Sequence, residues 1–118
     1  MTIEQEIYSL LSPLVNKRVY PDTPPEVFDI PFIVYQQVGG NAVQYVDNTL
    51  PDKRHSRIQI SVWADTRNEA NTIAHKVEEM LVGAGINCEI YGGLTAVYDS
   101  VVRIYGTRQD FGFSFLPR

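Results

Sequence analysis

Arg57-Ile58-Gln59-Ile60-Ser61-Val62-Trp63-Ala64-Asp65-Thr66, followed by Arg67-Asn68-Glu69-Ala70, holds a change of period that decides the fold. Up to Trp63 the apolar residues alternate: Ile58, Ile60 and Val62 point to one face of a strand, and Arg57, Gln59, Ser61 and Trp63 to the other. Asp65-Thr66 ends that strand. Thr66 and Glu69 have the spacing of a capping box, and Ala70, Ile73, Ala74, Val77, Met80 and Leu81 then recur as one helical stripe. Gly83-Ala84-Gly85 closes the helix, because glycine reaches the left-handed geometry that ends helices. A strand with one apolar face, followed directly by a helix with one apolar stripe, implies a helix packed on a sheet.

Outward from this unit, the N-terminal side repeats the same ingredients. Thr2 and Gln5 form a second capping-box pattern, and Ile3, Ile7, Leu10, Leu11 and Leu14 share a face, so the spacing predicts a helix over Ile3 to Leu11 that stops near Pro13. Arg18-Val19-Tyr20-Pro21 is a short extended piece, and Pro21, Pro24 and Pro25 make the next stretch an ordered surface connection. Phe32 to Val38 is rich in β-branched and aromatic residues and reads as a main-sheet strand ended by Gly39-Gly40. Asn41 to Asp47 has the composition of a more exposed strand. Asn48 to His55 is the most polar and turn-like part of the chain, so Asn41 to His55 is expected to be mobile in a free subunit and to order on contact.

On the C-terminal side, Cys88 to Tyr91, Leu94 to Tyr98, Val101 to Tyr105 and Asp110 to Leu116 all read as strands of an antiparallel meander broken at Gly92-Gly93, Asp99-Ser100 and Gly106. Phe111, Phe113 and Phe115 alternate with Gly112 and Ser114, which predicts a strongly aromatic sheet edge. The expected fold class is α+β: one domain over residues 1–118, with two helices packed on one face of a mainly antiparallel sheet in the order α-β-β-β-α-β-β.

The 118 residues suffice for one core without staples. Fourteen acidic against ten basic side chains give a formal net charge of −4, which disfavours a polyphosphate partner; the short run Lys53-Arg54-His55 with Arg57 reads as a solvated loop. Cys88 is alone, so no intrachain disulfide is expected and a reducing compartment is the natural setting. The acidic opening Met1-Thr2-Ile3-Glu4 is unlike a secretory signal, and no apolar run has the ~20 residues of a membrane span.

Catalytic chemistry finds no foothold. Two histidines and one cysteine match no metal-ligand spacing; His55 falls in the polar segment and His75 on a helix flank. Cys88, in a β-like segment, reads as packing and not as a nucleophile, and no serine sits in a Gly-x-Ser-x-Gly turn. Gly83-Ala84-Gly85 follows a helix where a phosphate cradle would precede one, and Glu78-Glu79 diverge around a helix. Neither metal nor cofactor is expected. What remains are side chains suited to protein contacts, Arg54, Arg57, Gln59, Trp63, Arg103 and Asp110, since aromatic rings and arginines bury much area and still hydrogen-bond. For Trp63 two readings stand side by side: an interface anchor, or a ring lying beneath a loop or under the second sheet face.

Several segments taken in order resemble the tail-completion, or tail-terminator, proteins of long-tailed phages. They are Thr2-Ile3-Glu4 with its short helix, Arg18-Val19-Tyr20-Pro21, Pro31-Phe32-Ile33-Val34-Tyr35-Gln36, the stretch from Arg57 to Thr66 with Glu69-Ala70, and Gln109-Asp110-Phe111. Cys88 to Leu94 and Leu116-Pro117-Arg118 depart from the pattern. The resemblance implies a structural, non-enzymatic subunit of the virion, assembled from host cytoplasm into a ring, commonly a hexamer, at the head-proximal end of the tail. Its implied partners are further copies of itself, the tail-tube protein whose polymerisation it stops, and the head-side connector. The rival classes are a small enzyme or ligand-binding domain on a similar scaffold, and a single-strand nucleic-acid binder that stacks bases on Tyr and Phe.

Overall fold

The computed structural model describes residues 2–40 and 54–115. The capping box at its start forms in full: Thr2 N donates to Gln5 Oε1 at 2.9 Å and Gln5 N to Thr2 Oγ1 at 3.2 Å. Helix α1 therefore runs Ile3–Leu11 and buries Ile3, Ile7 and Leu11. Its ladder gives way to a 3-10 turn, Ser12–Leu14, at Pro13, which has no N–H to continue it.

Strand β1, Val19–Pro21, lies parallel to β2, Phe32–Gly39, so the sheet is mixed where the sequence suggested a mainly antiparallel one. The connection between them closes back on the sheet through Arg18, whose Nε donates to Pro31 O at 2.9 Å. Strand β3, Arg54–Ala64, pairs antiparallel with β2 and continues straight into α2, Arg67–Gly83, whose Thr66 hydroxyl accepts from Glu69 N at 3.1 Å. Ala70, Ile73, Ala74, Val77 and Leu81 are buried, as the stripe required, and Gly85 at φ +72° turns the chain out of the helix.

The four short strands expected after α2 are two long ones, β4, Cys88–Asp99, and β5, Ile104–Phe115. Glycine there shapes strands instead of ending them. Gly92, at φ +79°, sits in a break of register between Tyr91 and Thr95, while Gly106 lies inside β5 opposite Trp63. Val101 to Arg103, read as strand, forms the hairpin turn: Asp99 Oδ1 accepts from Val101 N at 2.9 Å and Val102 N at 3.2 Å, and Arg103 adopts φ +57°.

The sheet order β1-β2-β3-β5-β4 places β5 beside β3 in the interior. Phe111 and Phe113 are thus fully buried under the helices on a central strand, not on an aromatic edge. The polar segment also ends earlier than expected, because Arg54 and His55 already belong to β3. The suggested strand Asn41 to Asp47, and nearly all of the segment expected to be mobile, lie outside the described residues.

Between the helices the described strands are β1, β2 and β3, so the strand count expected there is met by the piece at Val19–Pro21, which the sequence suggested only as a short extended segment. Both helices cover one sheet face, where Ile7, Leu11, Ile33, Ile58, Leu81 and Phe111 form the main core. On the other face a smaller cluster of Phe32, Val34 and Ile104 is roofed by Tyr20, Phe28, Ile30 and Trp63.

Candidate functional site

The alternation in β3 gives the helix-free face two unlike halves. At the Trp63 end the sheet carries the small apolar cluster, and the indole itself is half-buried against it. Its ring lies over the backbone of Gly106; a Cβ there would come within 2.6 Å of the indole. Trp63 therefore packs against that cluster while part of its surface stays accessible, a placement compatible with both readings of it.

At the other end the face is open and polar. Arg57 Nε donates to Asp110 Oδ2 at 2.7 Å, and Gln59 Nε2 donates to Asp110 Oδ1 at 3.3 Å, so both carboxylate oxygens are held. Direct cross-strand pairing of Gln59 with Asp110 and of Arg57 with Gly112 makes this possible. The Arg57 guanidinium also lies 5.1 Å from the centre of the Tyr91 ring, and the Tyr91 hydroxyl is 2.6 Å from His55 Nε2. Tyr91 lies across Gly112, where a Cβ would come within 2.5 Å of the phenol. The result is a surface in which an arginine is fixed between a carboxylate and an aromatic face.

Of the six residues singled out from sequence, the fold brings Arg57, Gln59 and Asp110 together. Trp63 shares their face at its other end, and Arg103 lies away from them in the β4–β5 turn. Arg54 opens β3. Sequence reasoning missed Tyr91 and took His55 for a solvated loop residue. Tyr91 meets Asp110 through a register that is interrupted beside it, and no local pattern announces such a pairing.

No cluster of three or more His, Cys, Asp or Glu with metal-binding geometry occurs among the described residues. His75, exposed on α2, has its Nδ1 3.8 Å from Glu78. The Cys88 thiol packs against the main core, and burial, with Glu89 adding to it, raises its pKa to about 11, so at neutral pH it is protonated and a poor nucleophile. No described helix is long and apolar enough to cross a membrane.

Fold and site together define a small α+β domain that offers fixed polar and aromatic contacts on an open sheet face. The chain belongs to the family described as tail completion protein gp17, which it matches over residues 5–108. It is thus a structural protein of the phage tail, and so of the virion, and not an enzyme. Among solved structures it is similar to a chain of the virion of a native gene transfer agent particle, at 19% identity with a TM-score of 0.62, covering 94% of this chain and 92% of that one. It is also similar to the gp17 protein of bacteriophage SPP1, at 20% identity with a TM-score of 0.43, covering 89% and 81%. The former likeness shows a shared fold. No curated protein sequence matches.

Proposed function

We propose that copies of this chain close into a ring, commonly of six, on the head-proximal end of the tail tube, stop its polymerisation and present their outer surface to the head-side connector. The family match over residues 5–108 carries this reading. The two sheet edges fit it. One is β1, three residues long and ending in Pro21, and the other is β4, twelve residues long. Contact between the β4 edge of one copy and the β1 side of the next would be head-to-tail, and head-to-tail contacts close into a ring where the rotation between copies allows it. Arg57, Gln59 and Asp110 supply preorganised polar contacts for the tube or a neighbour, with Arg54 and Trp63 also on β3 and Arg103 in the separate β4–β5 turn as further contacts; neither nucleic acid nor membrane is a direct partner. Light scattering and negative-stain microscopy, on the protein alone and with tail tubes, test the proposal. Rings or capped tube ends are expected, and a strict monomer at high concentration that also leaves tubes uncapped defeats it.

A further inference from the structure

The turn joining β4 to β5 is built firmly and yet presents apolar side chains to solvent. Asp99 ties the backbone N–H groups of Val101 and Val102, so the turn satisfies its own hydrogen bonds. Val101 is nonetheless 89% exposed and Val102 48%. Just below them the rings of Tyr98 and Tyr105 meet at a tilt of 52° with centres 4.9 Å apart, both exposed. Turns ordinarily use Gly, Asn, Asp or Ser, and adjacent exposed large apolar residues in a fixed shape mark an interaction surface. Arg103 completes this tip and makes no ion pair among the described residues.

A feature of complementary character lies across the sheet. Between α1 and β2 there is an open depression lined by Glu4, Gln5, Tyr8, Ser9 and Tyr35. Tyr8 is 40% exposed there, which gives the depression apolar wall area. Glu4 is the one charged residue of its lining, and its carboxylate, with that of Asp22, adds to the burial that raises the pKa of the Tyr35 phenol. The sheet order sets the β4–β5 hairpin at one side and β1–β2 at the other, so a tip does not reach the depression of its own chain. Two different patches on opposite sides of a subunit are what a head-to-tail contact requires.

We infer that the hairpin tip Val101-Val102-Arg103 of one copy seats in the α1–β2 depression of the next, the valines against Tyr8 and Tyr35 and the guanidinium against Glu4. Each subunit then gives one tip and receives one, and a closed ring leaves no tip exposed. This contact rests on the ring reading and names the surfaces that would make it.

Charge reversal with rescue tests it. Arg103→Glu, Glu4→Lys and Val101→Asp, each checked by circular dichroism for an intact fold, should weaken assembly roughly tenfold or more, the scale expected for a desolvated contact. Combining Arg103→Glu with Glu4→Lys should recover assembly to within about threefold, and the rescue should shrink as salt screens the pair. In a Cys88→Ala background, Val101→Cys with Ser9→Cys should oxidise to a ladder of covalent oligomers, which Val101→Cys alone should not form. Rings that assemble normally in all three single variants, with no ladder, overturn this contact and leave the ring standing. A wild type that stays monomeric even on tail tubes overturns both.

Discussion

Gly106→Ala is a small change whose cost follows from one close approach. A Cβ on Gly106 would stand 2.6, 2.7 and 2.9 Å from three atoms of the Trp63 indole, where carbon atoms ordinarily rest about 3.5–4.0 Å apart. The ring must therefore retreat by roughly 1 Å, and it sits opposite Phe32 in the β2–β3 register with the small apolar cluster beside it. Overpacking of this kind costs about 1–3 kcal/mol. Against it stands the reduced freedom of the unfolded chain, about 0.4–1 kcal/mol in favour of alanine, since Gly106 does not hold a left-handed φ. Taking the middle of each range, about 2 against about 0.7 kcal/mol, the net expected loss is ~1.3 kcal/mol, a fall of roughly 0.7 M in the urea midpoint at a slope of about 2 kcal/mol/M. Trp63→Ala alone should cost ~3 kcal/mol, the lower end of the range for deleting a large ring, because part of the indole is accessible. In that background Gly106→Ala should become neutral or slightly stabilising, and the cycle isolates the contact. Far-ultraviolet circular dichroism must follow unfolding, since the protein has a single tryptophan. Equal losses from Gly106→Ala in both backgrounds, or none in the wild type, would refute the reasoning. The same Trp63→Ala protein separates the two readings of that residue: unchanged stability with weakened assembly would make it an interface anchor.

Two further outcomes follow from the site. Asp110→Asn should lower stability by less than ~1 kcal/mol in a urea melt, because Arg57 keeps 47% side-chain exposure and solvent screens the pair; a loss of several kcal/mol would mean that the cluster holds the sheet together and does not merely order its surface. Cys88 should react slowly with an alkylating reagent at pH 8 until the chain is unfolded, since its folded pKa of about 11 stands above the ordinary 9.0. The unfolded chain then loses the thiol proton first, so this group's contribution to stability is full below pH 9 and declines as pH rises through about 11; Cys88→Ala should flatten that part of a stability–pH profile.

Much of this molecule is local in origin. Both helices, with their Thr caps and buried stripes, were set by spacings of three and four residues, and the face assignment in β3 by a spacing of two. These patterns report on a chain's immediate neighbours, so no tertiary information was needed to read them. The absence of a family of catalytic spacings could likewise be read from residue types alone, and the ordered set of segments pointed to the tail-completion family.

Tertiary structure decided the rest. Gly92-Gly93 and Gly106 look like strand ends, yet they lie within long strands, because each answers a demand from elsewhere: a break of register against β5, or room for the ring of Trp63. Val101-Val102 have the β-branched character of a strand but form a turn, because Asp99 captures their N–H groups. The parallel entry of β1, the insertion of β5 between β3 and β4, and the meeting of Tyr91 with Arg57 and Asp110 all depend on which strands become neighbours. Alternation fixes the face of a strand on which a side chain lies; the partner across the ladder is chosen by the burial and hydrogen bonding of the whole sheet, which no short window of sequence contains.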